Sequence, residues 1–421
     1  MHRIPLLLAL LLPTLPVAAQ EDPRDIADII EFRHWAHANP ELSNQEFETS
    51  RRIAEYLRGL GLEVHTEIAI TGVVGILDTG RPGPVVAMRA DMDALPVEDR
   101  TGLPFASTKT AEYLGNEVPV AHACGHDIHM SVALGTAKRL VAMRDELRGK
   151  VMFIFQPAEE GTPPGEEGGA KLMLDEGVFD IARPQAIFAL HSQPDLAIGD
   201  VGFIGGPAYA ASDQFVIRLK GRQAHGALPH LAIDPVVMAA EVIQALQTIR
   251  SRNLDPQAAG VVTVGVVNAG QRYNIIPETA ELQGTVRTYD GEVQDMIERR
   301  MHEILAGITG AHGGEYSMEY KRTAPATVNH FGLTDWAREQ LRPALGEEHV
   351  KYFPPVMAAE DFAYFANEVP GFYFWLGVTP EGKENSALHT PTMRAEDEAI
   401  PVGIEAMTAL LTRFLEAPPE L

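Results

Sequence analysis

The sequence predicts an α/β fold, in which a main domain with a central, mostly parallel sheet flanked by helices is interrupted by an inserted α+β domain. Three observations carry this reading. Helical and strand-like patterns alternate from Asp25 onward, as in chains that wind a sheet between helices. The strand-like runs are short, continuously apolar and bounded by Gly or Pro, the look of strands covered on both faces. Near Gly199 the texture changes to strands of alternating polarity, then returns to the first pattern.

The elements follow in order. Ile26, Ile29, Ile30 and Phe32 to Trp35 recur at helical spacing, and residues 46–60 repeat that spacing until Gly61 stops it. Residues 72–77 and 84–88 are the first buried strands. Residues 130–147 read as a helix, 150–155 as a strand, 169–175 as a short helix and 186–190 as another strand. In the second texture, 214–220 alternates as a half-exposed strand, Asp234-Pro235 starts a helix to about 250, 260–267 and 279–288 are strands, and 292–308 is a helix. Residues 396–415 form the last helix. The part after 310 carries too few strands for a sheet of its own, so the expected domains are 20–198 with 311–421 as the main body and 199–310 as the insertion.

The chain has 421 residues, with 34 basic against 58 acidic, a formal net charge of −24. Such acidity argues against a nucleic-acid partner, which selects for a basic face. Hydrophobic residues at 45% and charged residues at 22% match a globular chain with a sizeable core. The single cysteine, Cys124, excludes an intramolecular disulfide. At the N-terminus, Met1-His2-Arg3 is a basic start, Ile4 to Val17 is apolar apart from prolines and Thr14, and Val17-Ala18-Ala19 supplies small residues at a cleavage position. The expectation is a signal peptide over 1–19 and an exported protein, periplasmic or secreted, with no membrane segment after cleavage.

Five segments carry chemistry. In His122-Ala-Cys-Gly-His-Asp127, Cys124 and His126 flank a glycine that permits a tight turn, so thiolate and imidazole can converge on one transition metal. In Gln156-Pro-Ala-Glu-Glu160, adjacent carboxylates at a strand exit repel each other unless a cation or a proton sits between them. One glutamate as ligand and the other as base is the division that metal-assisted hydrolysis needs, and spacing alone leaves open which is which. His191 and His389 each follow an apolar run, so Cys124, His126, Glu160, His191 and His389 come to one sheet edge. They are too many for one tetrahedral zinc and suit two metals sharing a bridge. Asp91 and Asp93, in Arg89-Ala-Asp-Met-Asp-Ala-Leu-Pro96, stand behind these ligands or merely shape a turn.

With these stretches, together with G-R-Q-A-H-G at Gly221, Y-N-I-I-P at Tyr273, A-E-D-F at Ala359 and L-H-T-P at Leu388, the chain resembles the dinuclear metallopeptidase and aminoacylase family. It is most similar to the branch of hippurate hydrolases and auxin-amino acid conjugate hydrolases. The resemblance implies Cys124 as a thiolate bridging two divalent ions, Mn2+ or Zn2+, with His126, Glu160, His191 and His389 completing the ligands and Glu159 as general base. It implies that the insertion is a lid and dimerisation domain, in which His225 reaches a neighbouring site to stabilise the oxyanion and Asn274 binds substrate. Arg287 is a candidate for gripping the substrate carboxylate. The implied activity is hydrolysis of N-acyl or N-aroyl amino acids in a homodimer or higher homo-oligomer. Glu166-Glu167 beside the paired glutamates makes that loop unusually acidic.

Other readings predict different behaviour. A dipeptidase or carboxypeptidase of the same family would share the metal chemistry on peptides. A non-catalytic exported solute-binding protein would have no need of Glu159 beside Glu160. An enzyme with Cys124 as nucleophile and His126 as its base would work without metal.

Overall fold

The computed structural model describes residues 25–421, so the expected signal peptide at 1–19 lies outside the described residues. An eight-stranded sheet forms the main body. Its spatial order is Glu63–Ile68, Gly72–Asp78, Lys150–Gln156, Val85–Asp91, Ala186–Ala197, Gly371–Thr379, Val201–Phe203 and Val350–Tyr352. The four central strands run parallel to one another, while the hairpin of the first two strands adds an antiparallel margin. The central strands are buried almost throughout, which is why they read as continuous apolar runs rather than alternating ones.

Alternation along the strands divides the core between two helix layers. Val86, Met88, Phe153, Phe155 and Phe188 pack with helices Ala27–Ala38, Phe47–Gly59, His126–Ala142 and Ala399–Glu416. Ala87, Met152, Ile154, Ile187 and Trp375 face the opposite layer, with Met173 of helix Gly169–Asp175 and Phe365 of helix Ala363–Glu368. Two sequence expectations shift here. The helix expected over 130–147 spans His126–Ala142, because Gly125, at φ +85°, starts it four residues earlier. The strand expected to end at 190 continues to Ala197, because strand Gly371–Thr379 keeps pairing with it after strand Val85–Asp91 has stopped at Ala189.

The inserted domain is a four-stranded antiparallel sheet in the order Gly260–Ala269, Thr279–Thr288, Ala211–Lys220, Glu315–Ala324. Helices Pro235–Thr248 and Gly291–His312 cover one face. Its limits differ from the expected 199–310. Val201–Phe203 belongs to the large sheet, and Glu315–Ala324 is an edge strand of the small one, so the insertion runs over 211–324. The alternating strand 315–324 carries Tyr316, Met318 and Tyr320 against the small core, a period-2 pattern hidden among polar residues. No described helix is long and apolar enough to cross a membrane.

Candidate metal centre

Each chemical residue stands where backbone geometry leaves little freedom. Gly125 is left-handed, and a Cβ there would lie 2.1 Å from Ser192 Oγ, so the turn that aims Cys124 and His126 inward tolerates only glycine. His126 opens its helix at the floor of the site. Glu159 and Glu160 follow strand Lys150–Gln156 through Ala158, which has φ +53°. His191 lies in the stretch of its strand with one free flank, next to Trp375 in register. His389, at φ +62°, is pinned by its own N–H donating to Ala123 O at 2.8 Å.

These elements bring the five candidate ligands together. Cys124 Sγ lies 3.3 Å from His191 Nε2 and 3.3 Å from His389 Nε2. His389 Nε2 is 3.1 Å from Glu160 Oε1, which is 3.9 Å from His126 Nε2. Donor atoms of Cys124, His126 and His191 lie within 4.8 Å of one another, as do those of Cys124, Glu160 and His389, so Cys124 is common to two groups. Glu159 joins His126 and Glu160 at the same spacing. On its other side it meets Glu360 and Asp361.

The surroundings prepare a cation site. His191 Nδ1 faces Ser192 O at 2.8 Å, so that nitrogen carries the proton and the Nε2 lone pair points at the sulfur. His126 has both nitrogens buried without a hydrogen-bond partner, and Glu160 Oε1 meets no group except the His389 ring. Buried polar atoms are rarely left so, and a divalent ion would satisfy His126 Nε2 and Glu160 Oε1 together, while Nδ1 faces Asp93. Charge points the same way. Burial raises the Cys124 thiol well above its ordinary range, and Glu160, Glu159 and Asp91 push it further. Burial opposes charge on His126, yet Asp91, Asp93 and Glu160 lift its pKa to about 10. A metal cation replaces both protons and relieves the carboxylate repulsion.

Behind the donors lies a set of buried partners. Asp93 Oδ1 is 3.4 Å from His126 Nδ1, while Asp93 Oδ2 accepts from Glu160 N at 3.0 Å and from Ser43 Oγ at 2.8 Å. Asp91 accepts from Arg89 Nη1 at 2.6 Å and from His129 Nδ1 at 2.6 Å. The Nε2 atom of His129 accepts from Ser192 N at 2.8 Å, which fixes its tautomer and excludes it as a ligand. Arg89 also binds Glu360 at 2.9 Å, and Tyr373 Oη donates to Glu360 at 2.5 Å.

The sequence description "Peptidase family M20/M25/M40" matches residues 87–413, a span holding all five donors. The chain belongs to this family. It is 36% identical over 372 residues to N-acetyl-L-cysteine deacetylase of Bacillus subtilis, covering 88% of this chain and 84% of that one. Hippurate hydrolase of Campylobacter jejuni is 35% identical over 386 residues, covering 91% and 96%. Among solved structures, the Bacillus subtilis YXEP protein, a dinuclear metal binding peptidase from M20 family, matches with a TM-score of 0.79 at 33% identity, covering 93% of this chain and 98% of that one.

In this M20/M25/M40 protein a cavity of about 730 Å³ opens over the donors, lined by Glu159, Glu160 and His389 below and by Arg287 and Lys321 from the inserted sheet. Arg287 is opposite Ser212 on the sheet face away from its helices, and its Nη1 atom is buried without a hydrogen-bond partner. His225 and Asn274 are elsewhere. They flank a two-residue ladder, with Gly226 N donating to Asn274 O at 2.9 Å, and neither lines this cavity. His225 is exposed, and its Nδ1 accepts from Ala227 N at 3.0 Å. Sequence reading passed over His129, Ser192, Glu46 and the Arg89–Glu360 pair. For His129 a signal existed: it is three residues after His126, hence on the same helical face.

Proposed function

We propose that the protein is a metal-dependent amidohydrolase that splits N-acyl or N-aroyl amino acids into a carboxylic acid and a free amino acid. The observation that carries it is the sharing of Cys124 by two donor groups with Glu159 beside them, under a cavity whose far wall presents an unpaired Arg287. Cys124, His126, Glu160, His191 and His389 would hold the divalent ions, Mn2+ or Zn2+. Bound there, such ions supply Lewis-acid polarisation of the scissile carbonyl and acidify a water molecule.

The chain's own groups do the rest. Glu159 takes a proton from the attacking water as its oxygen bonds to the amide carbon, then gives that proton to the nitrogen as the C–N bond breaks. Desolvation raises the Glu159 pKa well above the ordinary carboxylate range, with Glu360 and Glu160 adding to it, which favours a group that accepts a proton and releases it again. Arg287 grips the carboxylate of the amino-acid half with parallel hydrogen bonds.

His225 and Asn274 act on the site of a second copy. The acceptor role of His225 Nδ1 leaves a proton on Nε2 of the neutral ring, the donor that an oxyanion requires. Around them Leu228, Leu231, Val267, Tyr273 and Ile275 are exposed apolar residues, which supports burial against a partner copy. Export by the 1–19 segment belongs to the same reading. The test is hydrolysis of a panel of acyl amino acids and dipeptides after metal removal and reconstitution. Turnover unchanged by chelation overturns it, and exclusive cleavage of dipeptides replaces it with the peptidase reading. A solution mass of one chain at working concentration removes His225 from the mechanism.

A further inference from the structure

We propose that Glu46 is a positioning residue that holds the loop carrying Glu159 and Glu160 in its working conformation. The inference rests on the reading of those two residues as base and ligand. Glu46 precedes helix Phe47–Gly59, where an acidic side chain would ordinarily turn back to cap the first N–H groups. Here Glu41 takes that place, accepting from Glu48 N at 3.1 Å and Thr49 N at 2.8 Å. Glu46 is thereby released and turns into the interior, where it is fully buried.

Its two oxygens have separate tasks. Oε2 accepts from Thr71 Oγ1 at 2.7 Å, and Oε1 accepts from the backbone N–H of Ala158 at 2.9 Å. Ala158 is the residue that departs from ordinary backbone geometry, with φ +53° directly before Glu159. An L-residue enters the left-handed region only when its surroundings hold it there. Two residues on, Glu160 N is held by Asp93 at 3.0 Å. Two buried carboxylates from distant parts of the chain therefore clamp alternate amides of one short loop, and the glutamates between and beyond them are aimed at the cleft. Removing Glu46 frees the Ala158 amide, lets the loop relax toward right-handed geometry and displaces Glu160 from Cys124 and His389.

The test compares Glu46→Ala and Glu46→Gln by two readings that do not depend on turnover: Co2+ affinity by absorbance titration, and hydrogen exchange of the segment 157–160 in metal-free protein. Glu46→Ala should weaken Co2+ binding about 10- to 100-fold, the range for groups that orient ligands, and speed exchange at least about tenfold. Glu46→Gln keeps an oxygen toward Ala158 and should stay near wild type in both. Wild-type behaviour of Glu46→Ala in either reading overturns the proposal, as does a loss in Glu46→Gln equal to that in Glu46→Ala. If Glu46→Ala does not fold, Thr71→Val removes one anchor of the Glu46 carboxylate and is judged by the same two readings and the same criterion. Failure of the wild type to hydrolyse any acyl amino acid would sink the functional reading alone, since affinity and exchange still decide the role of Glu46.

Discussion

His389 Nε2 and Cys124 Sγ lie 3.3 Å apart although 265 residues separate them in sequence, and the same nitrogen is 3.1 Å from Glu160. Three donors from three loops meet at one point, and the thiol among them is pushed strongly toward its neutral form by burial and by the glutamates. A cation is what makes a thiolate affordable there. Chelation should therefore abolish hydrolysis and lower the melting temperature, with both restored by Mn2+ or Zn2+. At free metal about 100 times its Kd the stabilisation is about 2.7 kcal/mol, well within reach of calorimetry. Cys124→Ala should lose more affinity than the roughly 10- to 100-fold typical of changes outside the ligand set.

Glu159 contacts the donors on one side and Glu360 with Asp361 on the other. Glu159→Gln keeps the shape and removes the proposed base. Turnover should fall about 10²- to 10⁴-fold while two metal equivalents stay bound, measured by single-turnover kinetics beside metal analysis. Glu160→Gln should instead lose metal. The opposite assignment, with metal lost in Glu159→Gln and kept in Glu160→Gln, would exchange the two roles.

The proposed division of labour between these glutamates shows where sequence reading stops. Strand Lys150–Gln156 was legible because burial on both faces leaves a continuous apolar run, and such runs end at the sheet edge where donors gather. The order of Glu159 and Glu160 can be proposed only through resemblance, because the aim of both side chains depends on a left-handed Ala158 that no residue type announces. Strand Glu315–Ala324 went unseen for a related reason: at a sheet edge its alternation is polar and aromatic, and its partner Ala211–Lys220 lies about a hundred residues away along the chain. Glu46 was invisible because its role arises from Glu41 capping the helix in its place.

Arg287 faces the cavity with its Nη1 atom unpartnered, and burial lowers its pKa from the usual value with only Asp213 opposing. Such a guanidinium gains most from a carboxylate brought by the substrate. Arg287→Ala should raise KM about 10- to 100-fold, the equivalent of a charged hydrogen bond worth about 1.5–3 kcal/mol, with a smaller effect on kcat. A substrate whose carboxylate is replaced by a carboxamide should be insensitive to the change. Equal loss on both substrates would assign Arg287 to the fold of the inserted sheet.

Gly125 tests the rigidity of the floor. Its φ of +85° disfavours any side chain, and a Cβ would meet Ser192 Oγ, which itself donates to Cys124 O at 2.8 Å. Gly125→Ala should cost about 1–3 kcal/mol in metal-free unfolding and weaken metal binding as well, because the displaced atoms adjoin Cys124 and His191. Ser192→Ala removes the hydroxyl in the way. The double variant should recover part of both losses, and strict additivity would show that the clash with Ser192 is not the cause.

His37 links the outer helix layer to the floor of the site. Its Nδ1 is 2.8 Å from Asp127 Oδ2 and its Nε2 3.1 Å from Asp99 Oδ2, while Arg33 Nε donates to the same Asp127 oxygen at 3.0 Å. Burial opposes charge on this ring, but Asp127 and then Asp99 outweigh it, and the pKa rises above the ordinary 6.5. Two acceptors on opposite nitrogens require both to carry protons, so the folded protein holds an imidazolium. The folded state thus binds the proton more tightly than the unfolded chain. The stabilisation is complete below about pH 6.5 and is lost as pH rises through the elevated folded value. His37→Gln should cost about 1.5–3 kcal/mol at pH 6, and the difference from wild type should shrink steadily toward pH 9. Chemical unfolding of metal-free protein across that range is the measurement, and a difference that grows with pH would show that the ring is neutral in the folded state.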